Sequence, residues 1–177
     1  IKKEAAFDSF IEKPAGEGKM LFVPLDTNGI VYTKFMFSLE GLPKEMIPYA
    51  GLLARALGKV DTAGHSYETL PTEINMHTGG IDGRITVYKN KSKFTPVLSL
   101  NAKALKRNSE NMFGLMKEIM LSSLFDSVDS LKKIILELKA EYERHYDNNG
   151  HAVALLRCES LISASGKYED MAKGMAF

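Results

Sequence analysis

Between Asn28 and Leu39 the odd positions Val31, Thr33, Phe35, Phe37 and Leu39 are apolar or β-branched, while Lys34 and Ser38 fall on the other side. A period of two predicts a strand with one face in a core. After Gly41-Leu42-Pro43 the apolar positions are Met46, Ile47, Ala50, Leu53, Ala54 and Leu57, a three-and-four spacing that makes one stripe on a helix, with Gly58 as its stop. Upstream, the run from Met20 to Leu25 is interrupted by Pro24 and reads as an edge strand. Asp26-Thr27-Asn28-Gly29 predicts a hairpin turn from it into the strand above. Residues 1–18, with Phe7, Phe10 and Ile11 among charges and then Pro14, Gly16 and Gly18, read as a tether.

Downstream, Ser66 predicts the cap of a helix through about Met76, with Pro71 tolerable only near the helix start. Thr78-Gly79-Gly80 permits a sharp exit. Ile81, Gly83, Ile85 and Val87 then alternate with polar residues and with Tyr88. Phe94, Pro96, Leu98, Leu100, Ala102 and Ala104 alternate in turn. The stretch from Lys89 to Lys93 is long enough for a hairpin and too short for a parallel crossover, so the pair is predicted antiparallel.

The remainder is predicted helical. Asn108 or Ser109 caps a helix with its stripe at Met112, Phe113, Met116, Ile119, Met120 and Leu124. Asp126 or Ser127 caps another, with Val128, Leu131, Ile134, Ile135, Leu138 and Tyr142 on one face, until Asn148-Asn149-Gly150 stops it. A further helix runs from about His151 to Ser163, Ala164-Ser165-Gly166 breaks it, and Lys167 to Met175 begins a last one. The fold class is α+β, an antiparallel sheet with helices packed on one side. Residues 19–177 are expected to form a single domain.

Composition narrows the partners. The 23 basic and 22 acidic residues leave a net charge of +1, too little field to hold a nucleic acid or an anionic membrane surface, and both are disfavoured. No run of about eighteen apolar residues occurs, and Ile1-Lys2-Lys3-Glu4 is too polar for a secretory signal. The single cysteine, Cys158, excludes an internal disulfide, suits a reducing intracellular compartment such as a bacterial cytoplasm or organelle matrix, and is expected as a packed small residue. The missing initiator Met leads us to expect a processed product or an excised piece.

Candidate chemistry is sparse. Glu73 with His77, and Glu141 with His145, lie four apart and share a helix face, but two ligands do not make a zinc site. His65 and His151 read as polar surface, and no H-E-x-x-H, H-x-x-E-H, G-x-S-x-G or phosphate-binding glycine motif occurs. Met112, Met116 and Met120 at helical spacing read as core filling.

Three segments carry a family likeness: Thr27-Asn28-Gly29-Ile30-Val31-Tyr32, Ser38-Leu39-Glu40-Gly41-Leu42-Pro43 and Ile74-Asn75-Met76-His77-Thr78-Gly79-Gly80-Ile81, followed by His151-Ala152 and Arg157. In this order they resemble the presequence protease branch of the pitrilysin and insulin-degrading-enzyme zinc metallopeptidases, specifically the first domain of the C-terminal half. The resemblance implies an α+β domain, one of four homologous ones that close around a chamber degrading unfolded peptides. In the family an inverted zinc motif, H-x-x-E-H, lies on the helix after the first long strand of the N-terminal domain. The matching helix here reads Pro48-Tyr49-Ala50-Gly51-Leu52-Leu53, and Tyr49, Leu52 and Leu53 take the places of His, Glu and His. A phenol and two alkyl groups cannot hold zinc or activate its water.

The resemblance therefore implies no catalytic residue, metal ligand or cofactor in this segment, with zinc in the parent enzyme's N-terminal domain. The family's substrate-contacting Arg and Tyr belong to its last domain and have no counterpart here. Implied partners are the other domains of the same protease and unfolded peptide. The segment is expected to end before its domain is complete, leaving apolar surface that another copy could cover. Two alternatives remain open: a stand-alone scaffold or binding subunit of the same fold, and an independent enzyme built around Glu73, His77 and His151.

Overall fold

The computed structural model describes residues 10–173 apart from Ser92. Phe7 of the expected tether and Met175 of the expected last helix lie outside the described residues. The chain divides into two compact units, Ile1–Ile30 and Val31–Phe177.

In the first unit, β1 (Ile11–Ala15) pairs antiparallel with β2 (Gly18–Phe22), from Ile11 opposite Phe22 to Ala15 opposite Gly18. Gly16, at φ +62°, makes the turn between them. The expected boundary at 18/19 falls inside this hairpin. The partner of β2 is thus β1 and not the strand after Asn28-Gly29. The Asn-Gly turn itself forms as read, with φ of 52° and 78° and Ile30 N–H donating to the Thr27 carbonyl at 3.1 Å. What precedes it, from Val23 to Thr27, is not strand, and Pro24 has no N–H for a ladder.

In the second unit, β3 (Ile30–Ser38, its first residue the last of the first unit), β4 (Ile81–Lys89) and β5 (Phe94–Leu105) form a sheet in the order β3-β5-β4. As predicted, β4 and β5 are antiparallel, with Gly83 opposite Leu100 and Val87 opposite Pro96. This register puts Ile81, Gly83, Ile85 and Val87 on one face with Leu98, Leu100, Ala102 and Ala104. On the opposite face Ser99 Oγ and Asn101 Nδ2 donate to the Arg84 and Asp82 carbonyls, each at 3.3 Å.

Helices cover the apolar face. They are α1 (Ile47–Ala56), α2 (Leu70–His77), α3 (Ser109–Leu121), α4 (Val128–Ile162) and α5 (Ala164–Ala172). Leu70 and Ile74 of α2 and Met112, Met116 and Ile119 of α3 pack on Leu100, Ala102 and Ala104. Met112 and Met116 are fully buried, as expected of core residues. A second cluster joins Ile47 of α1 and Tyr168 and Ala172 of α5 to Val87. The first half of α4 lies against α1, with Ile134 and Leu138 on Ala56 and Val60. The architecture is the expected α+β sandwich.

Several local expectations change. Of the predicted α1 stripe, Ile47, Ala54 and Leu57 are buried as expected and Met46 and Leu53 are exposed, while Gly51 and Ala56 bury in addition. Small side chains let α1 come close: a Cβ at Gly83 would collide with the Ala54 carbonyl oxygen, and one at Gly51 with that of Ala172. Helix α2 starts at Leu70 and not at Ser66, which sits in a turn accepting from Thr69 and Leu70 N–H groups, and Pro71 falls in the first helical turn where its missing donor costs nothing. Helix α3 ends before Leu124. Ser127 caps α4 as expected, accepting from Ser130 N–H at 3.3 Å. The predicted stop survives as a break: Asn149, at φ −132° and ψ 36°, is non-helical inside α4. The break before α5 is made by Ser163, whose hydroxyl accepts from Gly166 N–H at 3.0 Å, while Gly166 itself is buried inside α5 against the Glu159 carbonyl. Cys158, expected to be packed, is exposed.

The loop between α1 and α2 is clamped to α3 by one carboxylate. Glu118 accepts from Thr62 Oγ1, from Gly64 N–H at 3.2 Å and from His65 Nδ1 at 2.9 Å. Burial alone would raise the Glu118 carboxyl, but these donors and the His65 charge outweigh it and hold it below its ordinary 4.5.

Replacing Gly83 by Ala is expected to cost about 1–3 kcal/mol, the penalty of overpacking. Gly150→Ala, with nothing within 4 Å of the added Cβ, should leave stability unchanged or raise it by up to about 1 kcal/mol. Urea unfolding of the two variants beside the parent checks this. Because the folded Glu118 titrates low, its contribution is present above the ordinary value of 4.5 and is lost as pH falls through the lower folded value. Glu118→Gln should therefore flatten the acid limb of the unfolding midpoint plotted between roughly pH 6 and roughly pH 3.

Candidate binding cleft

Helix α1 packs on the edge strand β4 through Ala54 and Gly83, and the break in α4 at Asn149 lies beside it. The result is a cleft of about 740 Å³ lined by α1, β4, α4 and α5. Its walls are the backbones of Gly51 and Gly83 and the side chains of Ala54, Ile85, Ala152 and Leu156. Arg55, Arg84, Arg144 and Lys173 line it as cations, with Glu141 as the one carboxylate among the described residues and His145 beside Asn149 at the break. Across Arg55 and Tyr142 it adjoins a second groove of about 860 Å³, bordered by Pro48, Tyr49, Leu52, Ile135, Tyr146 and Met171.

Most of these polar groups are engaged. Arg55 pairs with Glu141 at 3.5 Å and lies 5.9 Å from the Tyr142 ring centre. Arg84 holds Asp82 through Nε at 2.8 Å and Nη2 at 2.6 Å, and Lys173 stands 3.5 Å from Glu169. Asn149 Nδ2 donates to His145 Nδ1 at 3.3 Å. Arg144 is exposed and makes no ion pair or hydrogen bond among the described residues. Behind the cleft, Asp170 is buried and held by Arg157 Nη1 at 2.5 Å, which latches α5 to the second half of α4. Burial pushes the neighbouring Tyr168 phenol up, and its hydroxyl has no hydrogen-bond partner among the described residues.

The residues singled out from sequence are placed as follows. Tyr49 is 65% exposed, Leu53 is 37% exposed, and Leu52 packs against the Ala56, Val60, Ile134 and Leu138 cluster. One hydroxyl and two hydrocarbon branches do not fit a zinc ion. His77 stands with Nε2 3.5 Å from Glu73 and Nδ1 3.1 Å from Asn111 Nδ2, so both ring nitrogens are engaged. Glu141 turns to Arg55, and His145 to Asn149. His151 is exposed. Among the described residues no three His, Cys, Asp or Glu side chains form a group that could hold a metal ion, so Glu73, His77 and His151 do not converge on one.

Sequence reasoning missed the cationic lining. Arg55, Arg84, Arg144 and Lys173 lie far apart along the chain, and no local spacing joins them. It also missed the pairing of His65 with Glu118 across 53 positions. The one local signal was Asn148-Asn149-Gly150, read as a helix stop.

Comparison with known proteins places this fold. The family model described as Peptidase M-16C associated matches residues 1–177. Protein HypA of Clostridium perfringens is 33% identical over 180 residues, covering 100% of this chain and 18% of that protein. The mitochondrial presequence protease of Yarrowia lipolytica is 34% identical over 154 residues, 85% of this chain and 16% of that protein. That of Mus musculus is 26% identical over 170 residues, 91% of this chain and 16% of the relative. The chain thus spans less than a fifth of the length of these relatives. With a family match over every residue, and relatives that include presequence proteases, this chain belongs to the Peptidase M-16C associated family.

Proposed function

We propose that this chain is a non-catalytic, chamber-forming part of a zinc-dependent metallopeptidase that degrades unfolded peptides. The zinc would be held by the N-terminal domain of the longer protein. The observation that carries this reading is helix α1: it follows the first long strand, β3, and presents Tyr49, Leu52 and Leu53 where a catalytic domain would present imidazoles and a carboxylate. The small share of each relative covered by this chain agrees with a role as one part among several.

Its partners, on this reading, are the neighbouring domains of the same protein and the enclosed peptide. Leu155, Leu161 and Ile162, at 62%, 86% and 84% exposure along the second half of α4, offer apolar surface for such a neighbour or for a second copy. No helix of the described residues is long and apolar enough to cross a membrane. A reducing compartment remains our proposal for its location.

The test is zinc content and peptide turnover. The purified chain, dialysed after exposure to zinc, is expected to retain well under one equivalent by elemental mass spectrometry and to leave an unfolded peptide intact. A longer protein containing the segment should cleave the same peptide until a chelator is added. Cleavage by these 177 residues alone, or one bound zinc per chain that Tyr49→Ala removes, overturns the proposal.

A further inference from the structure

We propose that the cleft beside the α4 break, together with the groove it adjoins, binds an acidic segment of unfolded peptide. Carboxylate side chains would lie at the cleft and apolar side chains in the groove. The inference rests on the reading that this chain helps enclose peptides, and it adds a charge preference to that reading.

Three observations converge on this occupant. The first is size. The cleft and groove, at about 740 and 860 Å³, are each in the range of built ligand sites, and together they exceed what a lone small anion fills. The second is chemistry. One side offers alkyl and aromatic surface from Pro48, Tyr49, Leu52, Ile135 and Tyr146, with Lys44 and Lys139 balanced by Glu45 and Glu143 at its border, and the other offers Arg55, Arg84, Arg144 and Lys173 against the single acid Glu141. An unfolded peptide supplies apolar and charged groups on one strand, whereas a free phosphate or carboxylate supplies only charge.

The third observation is the state of those cations. The carboxylates that hold Arg84 and Lys173, Asp82 and Glu169, do not line the cleft, and among the described residues Glu141 is the only acid that does. Arg84 with Asp82 is an exposed pair, at 61% and 53% side-chain exposure, and such pairs exchange partners at little cost. Arg144 needs no exchange, because no acid of the described residues holds it. Its guanidinium is a fork of donors suited to a carboxylate. Arg55 is paired with Glu141, which also lines the cleft, and lies near the Tyr142 ring, so the uncompensated charge of the cleft is carried by the other cations. A basic peptide would meet the same cations as repulsion.

The experiment measures binding of a fluorescein-labelled unfolded peptide, in which apolar residues precede a run of glutamates, to the intact chain by anisotropy. Matched peptides with Gln, and with Lys, in place of Glu, and one with an amidated C-terminus, complete the set. The Glu peptide is expected to bind more tightly than the Gln peptide, and the Lys peptide least, with the differences shrinking as salt is raised. Arg144→Gln should weaken the Glu peptide by roughly fivefold, the scale of one exposed ion pair, and leave the Gln peptide unchanged. Arg144→Lys should retain most of the affinity. Because Arg144 is exposed and has no partner to lose among the described residues, a circular dichroism melt of each variant should match the parent. Equal binding of the Glu and Gln peptides, no binding of either, or an unchanged affinity in Arg144→Gln overturns the inference. So does a loss seen only on C-terminal amidation, which would assign the site to the terminal carboxylate. None of these outcomes touches the non-catalytic reading, which cleavage of the peptide by the chain would overturn instead.

Discussion

Two backbone approaches made possible by glycine seat helix α1 against its neighbours. Helix α1 meets β4 and α5 through Gly51 and Gly83, at positions where one added carbon would strike a backbone carbonyl. Contacts of that kind are short and numerous, and they are gained only if both partners are glycine or alanine along the seam. Ala54 and Ala56 continue it, both nearly inaccessible to solvent. The two hydrophobic clusters that involve α1 depend on this seating, one through Ile47 on Val87 and Tyr168, the other through Ala56 on Ile134 and Leu138. A helix lifted by one methyl group would loosen both.

The same seating explains why a cleft exists at all. With α1 pressed to the sheet, Arg55 at its end reaches Glu141 and the Tyr142 ring, and α4 leaves helical geometry at Asn149, which lines the same cleft. The polar groups of the cleft are therefore carried by elements whose positions are set elsewhere, in the packed apolar face. Tight packing in one layer and an open, charged recess in the next are consequences of one geometry. The absence of zinc-binding side chains on α1 fits this, since the helix is used here as a structural wedge.

Much of the fold could be read from residue order, and the reasons differ by element. Strands β4 and β5 were legible because strict alternation and a short polar connection leave a single antiparallel solution. The methionines of α3 were legible for the same kind of reason, a period that only one face satisfies. The stripe of α1 was legible in part: Ile47, Ala54 and Leu57 bury as read, but Gly51 and Ala56 bury too, and hydrophobicity does not mark them. The β1–β2 hairpin was missed because Pro14 and the glycines around it suggest a loose tether as readily as a tight turn. For the site, the family likeness identified α1 as the helix to inspect, but the cations around it come from sequence positions as far apart as 55 and 173, and only the folded chain assembles them.

The interrupted α4 has a mechanical meaning. An unbroken helix of 35 residues would be a rod of about 52 Å, carrying any push at one end to the other. Here the leading part is fastened to α1 through Ile134 and Leu138, and the trailing part to α5 through Arg157 and Asp170. A joint at Asn149 divides the rod into two short levers with separate anchors. The outer lever meets the rest of the unit through α5 and through the Lys89–Glu159 pair on β4, a different set of anchors from the one that holds the inner lever.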